Sequence, residues 1–82
     1  MKELIEYLVR SLVDKPEEVV IHEVHGESAT VYEVSVADGE LGMVIGKQGK
    51  TILAIRTIVT AAAAKENKRV VLEILEQNPR GD

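Results

Sequence analysis

Two glycines three positions apart, Gly46 and Gly49, enclose one basic and one polar residue, Lys47 and Gln48, and Lys50 follows at once. The surrounding stretch, residues 44–52, reads VIGKQGKTI. Glycine takes backbone angles closed to other residues, and without a side chain it lets another molecule approach the main-chain N–H groups. A helix beginning at Lys50 adds its free N–H groups and its dipole to the attraction for an anion. Lys47 and Lys50 supply charge whose pull weakens with salt. This chemistry suits a phosphodiester. The loop holds no nucleophile and no general base, so it can grip but cannot catalyse.

Other constellations carry less. His22 and His25 are three apart on a strand-like segment, so they point to opposite faces and cannot share a metal. A nucleotide-phosphate loop needs G-x-x-x-x-G-K-[ST]; here Gly42 and Gly46 have three residues between them, and Lys47 is followed by Gln48. Glu17 and Glu18 read as solvated charge. Arg80-Gly81-Asp82 spells an adhesion tripeptide, read as coincidence in a chain without a secretion signal. Tyr7 and Tyr32 are the only aromatics, too few for a surface that binds single strands by stacking. Tyr32 is expected in the core.

The net charge of −4 is unevenly distributed. Residues 1–41 carry ten acids against three bases, whereas residues 42–65 carry Lys47, Lys50, Arg56 and Lys65 with no acid. A locally basic segment in an acidic chain implies a small, directed anion site and argues against indiscriminate coating of nucleic acid. The absence of cysteine excludes disulfides and thiolate metal sites. No apolar run approaches the roughly 20 residues of a membrane span. A cytoplasmic protein is expected, with no membrane, metal or cofactor.

Eighty-two residues suffice for one domain. Apolar residues at Leu4, Ile5, Leu8, Val9, Leu12 and Val13 predict an amphipathic helix over 2–13, ended before Pro16. Strands are predicted over 19–24 and 29–36, with Thr30, Tyr32, Val34 and Val36 on one face. Asp38 is a candidate cap for a short helix over 40–45. The alanine-rich stretch 50–65 predicts a long helix, and 69–75 a last strand after a short connection at 66–68. Residues 76–82 are expected to form a flexible tail. The fold class is α+β, a three-stranded mixed sheet with its helices on one face.

The run from Val44 to Ile52 closely resembles the signature of KH domains, and it sits between two helices as that family requires. The element order α-β-β-α-α-β resembles the type II KH arrangement, over residues 1 to about 75. The nearest likeness is to the small single-KH proteins of bacteria, the KhpA family, which Gly42 and the run from Ala54-Ile55-Arg56-Thr57 to Ala64 also resemble. The resemblance implies that Gly46, Lys47, Gln48 and Gly49 clamp the backbone of about four unpaired RNA nucleotides. It also implies that Val44, Ile45 and Ile52 shape the groove for bases or anchor its helices. Lys50 is a candidate phosphate contact; Arg56 either tracks phosphate or solvates its helix. An RNA chaperone or post-transcriptional role is implied, with no enzymatic activity.

The long helix carries a second signal. At about 100° per residue, Ile52, Ile55, Val59, Ala62 and Ala63 form one stripe suited to cover the sheet. Ala54, Thr57, Ile58 and Ala61 form an adjoining, uncharged stripe, expected either to pack on the first helix or to join two copies of the chain. The resemblance favours a homodimer and permits pairing with a larger KH protein of the Jag type. The competing reading is a KH-fold interaction module with little or no RNA binding.

Overall fold

The computed structural model describes residues 1–75; the tail expected over 76–82 lies outside the described residues. The first helix, α1 (Lys2–Arg10), is shorter than the periodicity predicts. Ser11 stops it: its N–H and its hydroxyl both bond the Tyr7 carbonyl, at 3.1 and 2.6 Å, and the Leu12 N–H turns back to Val9. A serine side chain that competes for the helix's own carbonyls tightens the last turn. Pro16 therefore does not terminate the helix; it opens a short 3₁₀ turn at Pro16–Glu18. Val13, though beyond the helix, still packs into the core.

Strands β1 (Val20–His25) and β2 (Thr30–Ser35) pair antiparallel, and β2 pairs parallel with β3 (Val70–Ile74), in the order β1-β2-β3. The expected strands differ from these only at their ends. Residues of one cross-strand row share a face. The rows Ile21–Val34–Ile74 and Glu23–Tyr32–Leu72 face the helices. The rows alternating with them, His22–Glu33–Glu73 and Val24–Val31–Val71, form the open face of the sheet.

Helix α2 (Leu41–Ile45) and helix α3 (Lys50–Lys65) connect the two parallel strands. Ile5 and Val9 of α1, Val44 of α2, and Ile52, Ile55 and Val59 of α3 meet Ile21, Tyr32, Val34 and Leu72 of the sheet in one core. This is the α-β-β-α-α-β order of the type II KH fold. Tyr32 is buried, as expected, and its hydroxyl donates to Glu23 Oε2 at 3.2 Å. Burial raises the Tyr32 pKa above the usual phenol value, and the bond to Glu23 and its charge push the same way. No helix among the described residues is long and apolar enough to cross a membrane.

Two local devices hold α2 and α3 in place. Glu40, and not Asp38, occupies the residue before α2, without a side-chain capping bond. Its carboxylate is buried and accepts the Lys15 N–H at 3.1 Å, tying the segment after α1 to the start of α2. At the other end of α3, Asn67 takes a left-handed conformation (φ 58°) and donates to Ala64, while Lys68 donates to Ala63. That pair of bonds is a Schellman cap, so the connection to β3 is little more than the helix's own stop.

The corner between α2 and α3 is set by its glycines. Gly46 has φ 79° and ψ 171°, a region open only to glycine, and Gly49 is left-handed with φ 74°. A Cβ at Gly46 would run into the Thr51 side chain and stand 2.9 Å from its backbone N, whereas one at Gly49 would meet nothing within 4 Å. One glycine lets the corner close; the other keeps its outer surface bare.

These differences predict graded stability losses in denaturant titration. Gly46→Ala should cost about 3 kcal/mol, from forbidden angles and a clash with main chain. Gly49→Ala should cost about 1 kcal/mol, from conformation alone. Glu40→Ala should cost about 2 kcal/mol by removing the charged acceptor of the part-buried bond to the Lys15 N–H, and Glu40→Gln, which keeps an acceptor, should recover at least half of that loss.

Candidate nucleic-acid interface

The loop projects from the corner as a short 3₁₀ turn, Lys47–Gly49. Gln48 is itself left-handed (φ 58°, ψ 25°), so positive φ occurs at Gly46, Gln48 and Gly49. Lys47 and Gln48 are exposed, and Lys50, the first residue of α3, is exposed beside them. Neither Lys47 nor Lys50 joins an ion pair among the described residues. Gly49 is the N-cap of α3 and offers no side chain to its first turn. Positive charge, bare backbone and a helix start thus converge on one small exposed surface.

The apolar residues of the motif divide into support and surface. Val44 is fully buried and Ile52 nearly so, which makes them anchors under the loop with no direct access to a ligand. Ile45 is half-buried at the end of α2. Met43 and Leu53 are exposed on the helices either side of the loop, Leu53 at 64%. Leu53 belongs to neither stripe read from the sequence. It is found only once the sheet shows which side of α3 is covered.

Beyond the loop, a groove of about 380 Å³ runs between α3 and the edge strand β3, lined by Arg56, Val59 and Thr60 on one side and residues 70–73 on the other. Arg56 stands six residues past Lys50, about 9 Å along the helix. Its side chain leans across the groove, and its Nη2 donates to the Leu72 carbonyl at 3.1 Å. The hollow continues past Thr60 and Ala64 to Lys68 and Arg69. Those two bases at its far end fall outside the acid-free segment that marked the site in the sequence.

The outer side of α3 remains uncovered. Ala54, Thr57, Ile58 and Ala61 are all exposed, with Ile58 at 46%. Packing of this stripe on α1, one of its two expected uses, does not occur. The stripe expected against the sheet does lie there: Ile52, Ile55, Val59 and Ala63 are buried, and Ala62 is half-buried.

The comparisons with known proteins agree with this geometry. A family model described as KhpA/KhpB, KH domain, matches residues 2–74. A protein named RNA-binding protein KhpA from Chlamydia trachomatis is 51% identical over 77 residues, covering 94% of this chain and 99% of the relative. Proteins of the same name from Clostridium perfringens and Borreliella burgdorferi are 56% and 49% identical, over 92% and 90% of this chain and 100% and 90% of their own. The glycine corner, the type II order of elements and these matches make the chain a member of the KhpA/KhpB family of KH-domain proteins.

Proposed function

We propose that the chain binds single-stranded RNA without catalysis, gripping the phosphate backbone with the 46–49 loop and accepting bases along the groove between α3 and β3. The observation that carries this reading is the corner itself. Its outer glycine is bare, two lysines there have no acidic partner among the described residues, and no acid occurs in residues 42–65. Relatives at about half identity over nearly the whole chain bear the name RNA-binding protein. A role as RNA chaperone or post-transcriptional regulator in the bacterial cytoplasm fits a weak, directed grip.

A single clamp of this size binds weakly, and joining two clamps raises the apparent affinity through effective concentration. The exposed Ala54, Thr57, Ile58 and Ala61 stripe supports a homodimer through α3, since small side chains allow close approach of two helices. The same face can serve a larger Jag-type KH partner. It is also the observation that favours the second reading, an interaction module with little RNA binding.

Three measurements decide among these. First, the logarithm of the affinity for a short unpaired RNA should fall with the logarithm of salt at a slope of about −1.4, for two phosphates neutralised. Second, a Lys47→Asp/Gln48→Asp double variant should bind at least about tenfold more weakly. It should stay folded, because aspartate tolerates the left-handed geometry of Gln48. Equal binding by both proteins refutes the clamp, and no binding by wild type favours the interaction module. Third, Ile58→Glu should sediment as a monomer with unchanged circular dichroism; an unchanged mass would remove the α3 interface.

A further inference from the structure

The hydrogen bond from Arg56 to Leu72 alters what the groove can read. In a parallel ladder, alternate residues of the edge strand turn both backbone groups to the neighbour strand, and the others turn both outward. The bonds from Thr30 N–H to Arg69 and from Leu75 N–H to the Val34 carbonyl fix the phase. Val71 and Glu73 therefore bond β2, and Leu72 turns its N–H and its carbonyl toward the groove. Left alone, that carbonyl would accept the amino group of a base. Arg56 occupies it at 3.1 Å.

The polarity of the groove wall is thereby reversed. A guanidinium has five N–H donors and no acceptor, so one bond to Leu72 leaves four donors. Arg56 is exposed, lines the groove, and makes no ion pair among the described residues. Its planar fork is held by the carbonyl, so a ligand meets it already oriented. Such a fork matches two adjacent acceptors. Guanine offers O6 and N7, and cytosine offers O2 and N3. Adenine sets a donor amino group beside each of its nearest acceptors, and uracil sets N3–H between its two carbonyls.

We propose that Arg56, docked on the Leu72 carbonyl, is a specificity-determining residue that makes the groove prefer guanine or cytosine over adenine or uracil. This rests on the RNA-binding reading and sharpens it from backbone grip to base choice. The role differs from simple cover for the edge strand, which would protect β3 from pairing but select no base.

Fluorescence anisotropy on labelled RNA octamers tests it. The set comprises an all-adenine octamer and versions with one central guanine, cytosine or uracil. Guanine and cytosine should tighten binding by roughly fivefold or more, and uracil by less than twofold. Replacing the guanine by 7-deazaguanine, which lacks the N7 acceptor, should remove most of the gain; replacing it by inosine, which keeps O6 and N7, should retain it. In Arg56→Lys, whatever the overall affinity, the ratio of guanine to adenine binding should fall toward one. Equal binding of all four octamers by wild type overturns the proposal while leaving the RNA-binding reading intact. A ratio unchanged in Arg56→Lys, or a gain unaffected by 7-deazaguanine, also overturns it. If no octamer binds wild type, the RNA-binding reading itself fails and this one with it. Should Arg56→Lys abolish all binding, the 7-deazaguanine comparison in wild type decides.

Discussion

The close approach of Gly46 to Thr51 is the constraint on which the rest of the architecture depends. Two helices can meet at so sharp a corner only if the chain passes through angles that a side chain forbids. The corner places Val44 and Ile52 back to back in the core, and both are buried beneath the loop. It turns the start of α3 outward beside Lys47 and Lys50. It also brings α3 across the sheet, so that the stripe ending at Ala63 covers Tyr32, Val34 and Leu72. The core and the candidate binding surface are thus opposite sides of one bend.

Charge is arranged around the same bend. An acidic chain would repel a polyanion if its charge were evenly spread, yet residues 42–65 contain no acid. Most carboxylates of the sheet are turned elsewhere: Glu23 accepts from Tyr32 and lies 3.1 Å from His25, and Glu33 sits on the open face, while Glu73 reaches the rim of the groove. Glu40, the acid nearest the loop in sequence, is buried against the Lys15 amide. With Glu40 withdrawn and no acid in residues 42–65, the field around the bend favours an anion more than the rest of the acidic chain does.

Much of this was legible in residue order because local rules and tertiary packing agree. Alternation in 30–36 and the alanine-rich run in 50–65 place the sheet face and the long helix within a residue or so. The glycine pair marks the corner because few other uses explain that spacing between two helices. The misreadings come from side chains acting over distance. Ser11 ends α1 by a bond to a carbonyl one turn back, which periodicity does not weigh. Glu40 and Lys15 meet across 25 positions, and Arg56 and Leu72 across 16. Leu53 and Arg69 acquire meaning only when the side of α3 covered by the sheet is known. A polar residue's role depends on what folding brings beside it, and no window of local sequence contains that.

The Schellman cap at Asn67 has a consequence for how the groove behaves. Its two walls, α3 and β3, are joined by a stop signal whose bonds return to Ala63 and Ala64, inside the helix. Bonds so close to the junction limit how far the two walls can part at that end, so the width there is set by the helix stop itself. A strand bound as proposed would cost the protein little ordering at this end and would itself bear most of that loss. Lengthening the connection at Asn67 would be the simplest evolutionary route from a rigid reader to an adaptable one.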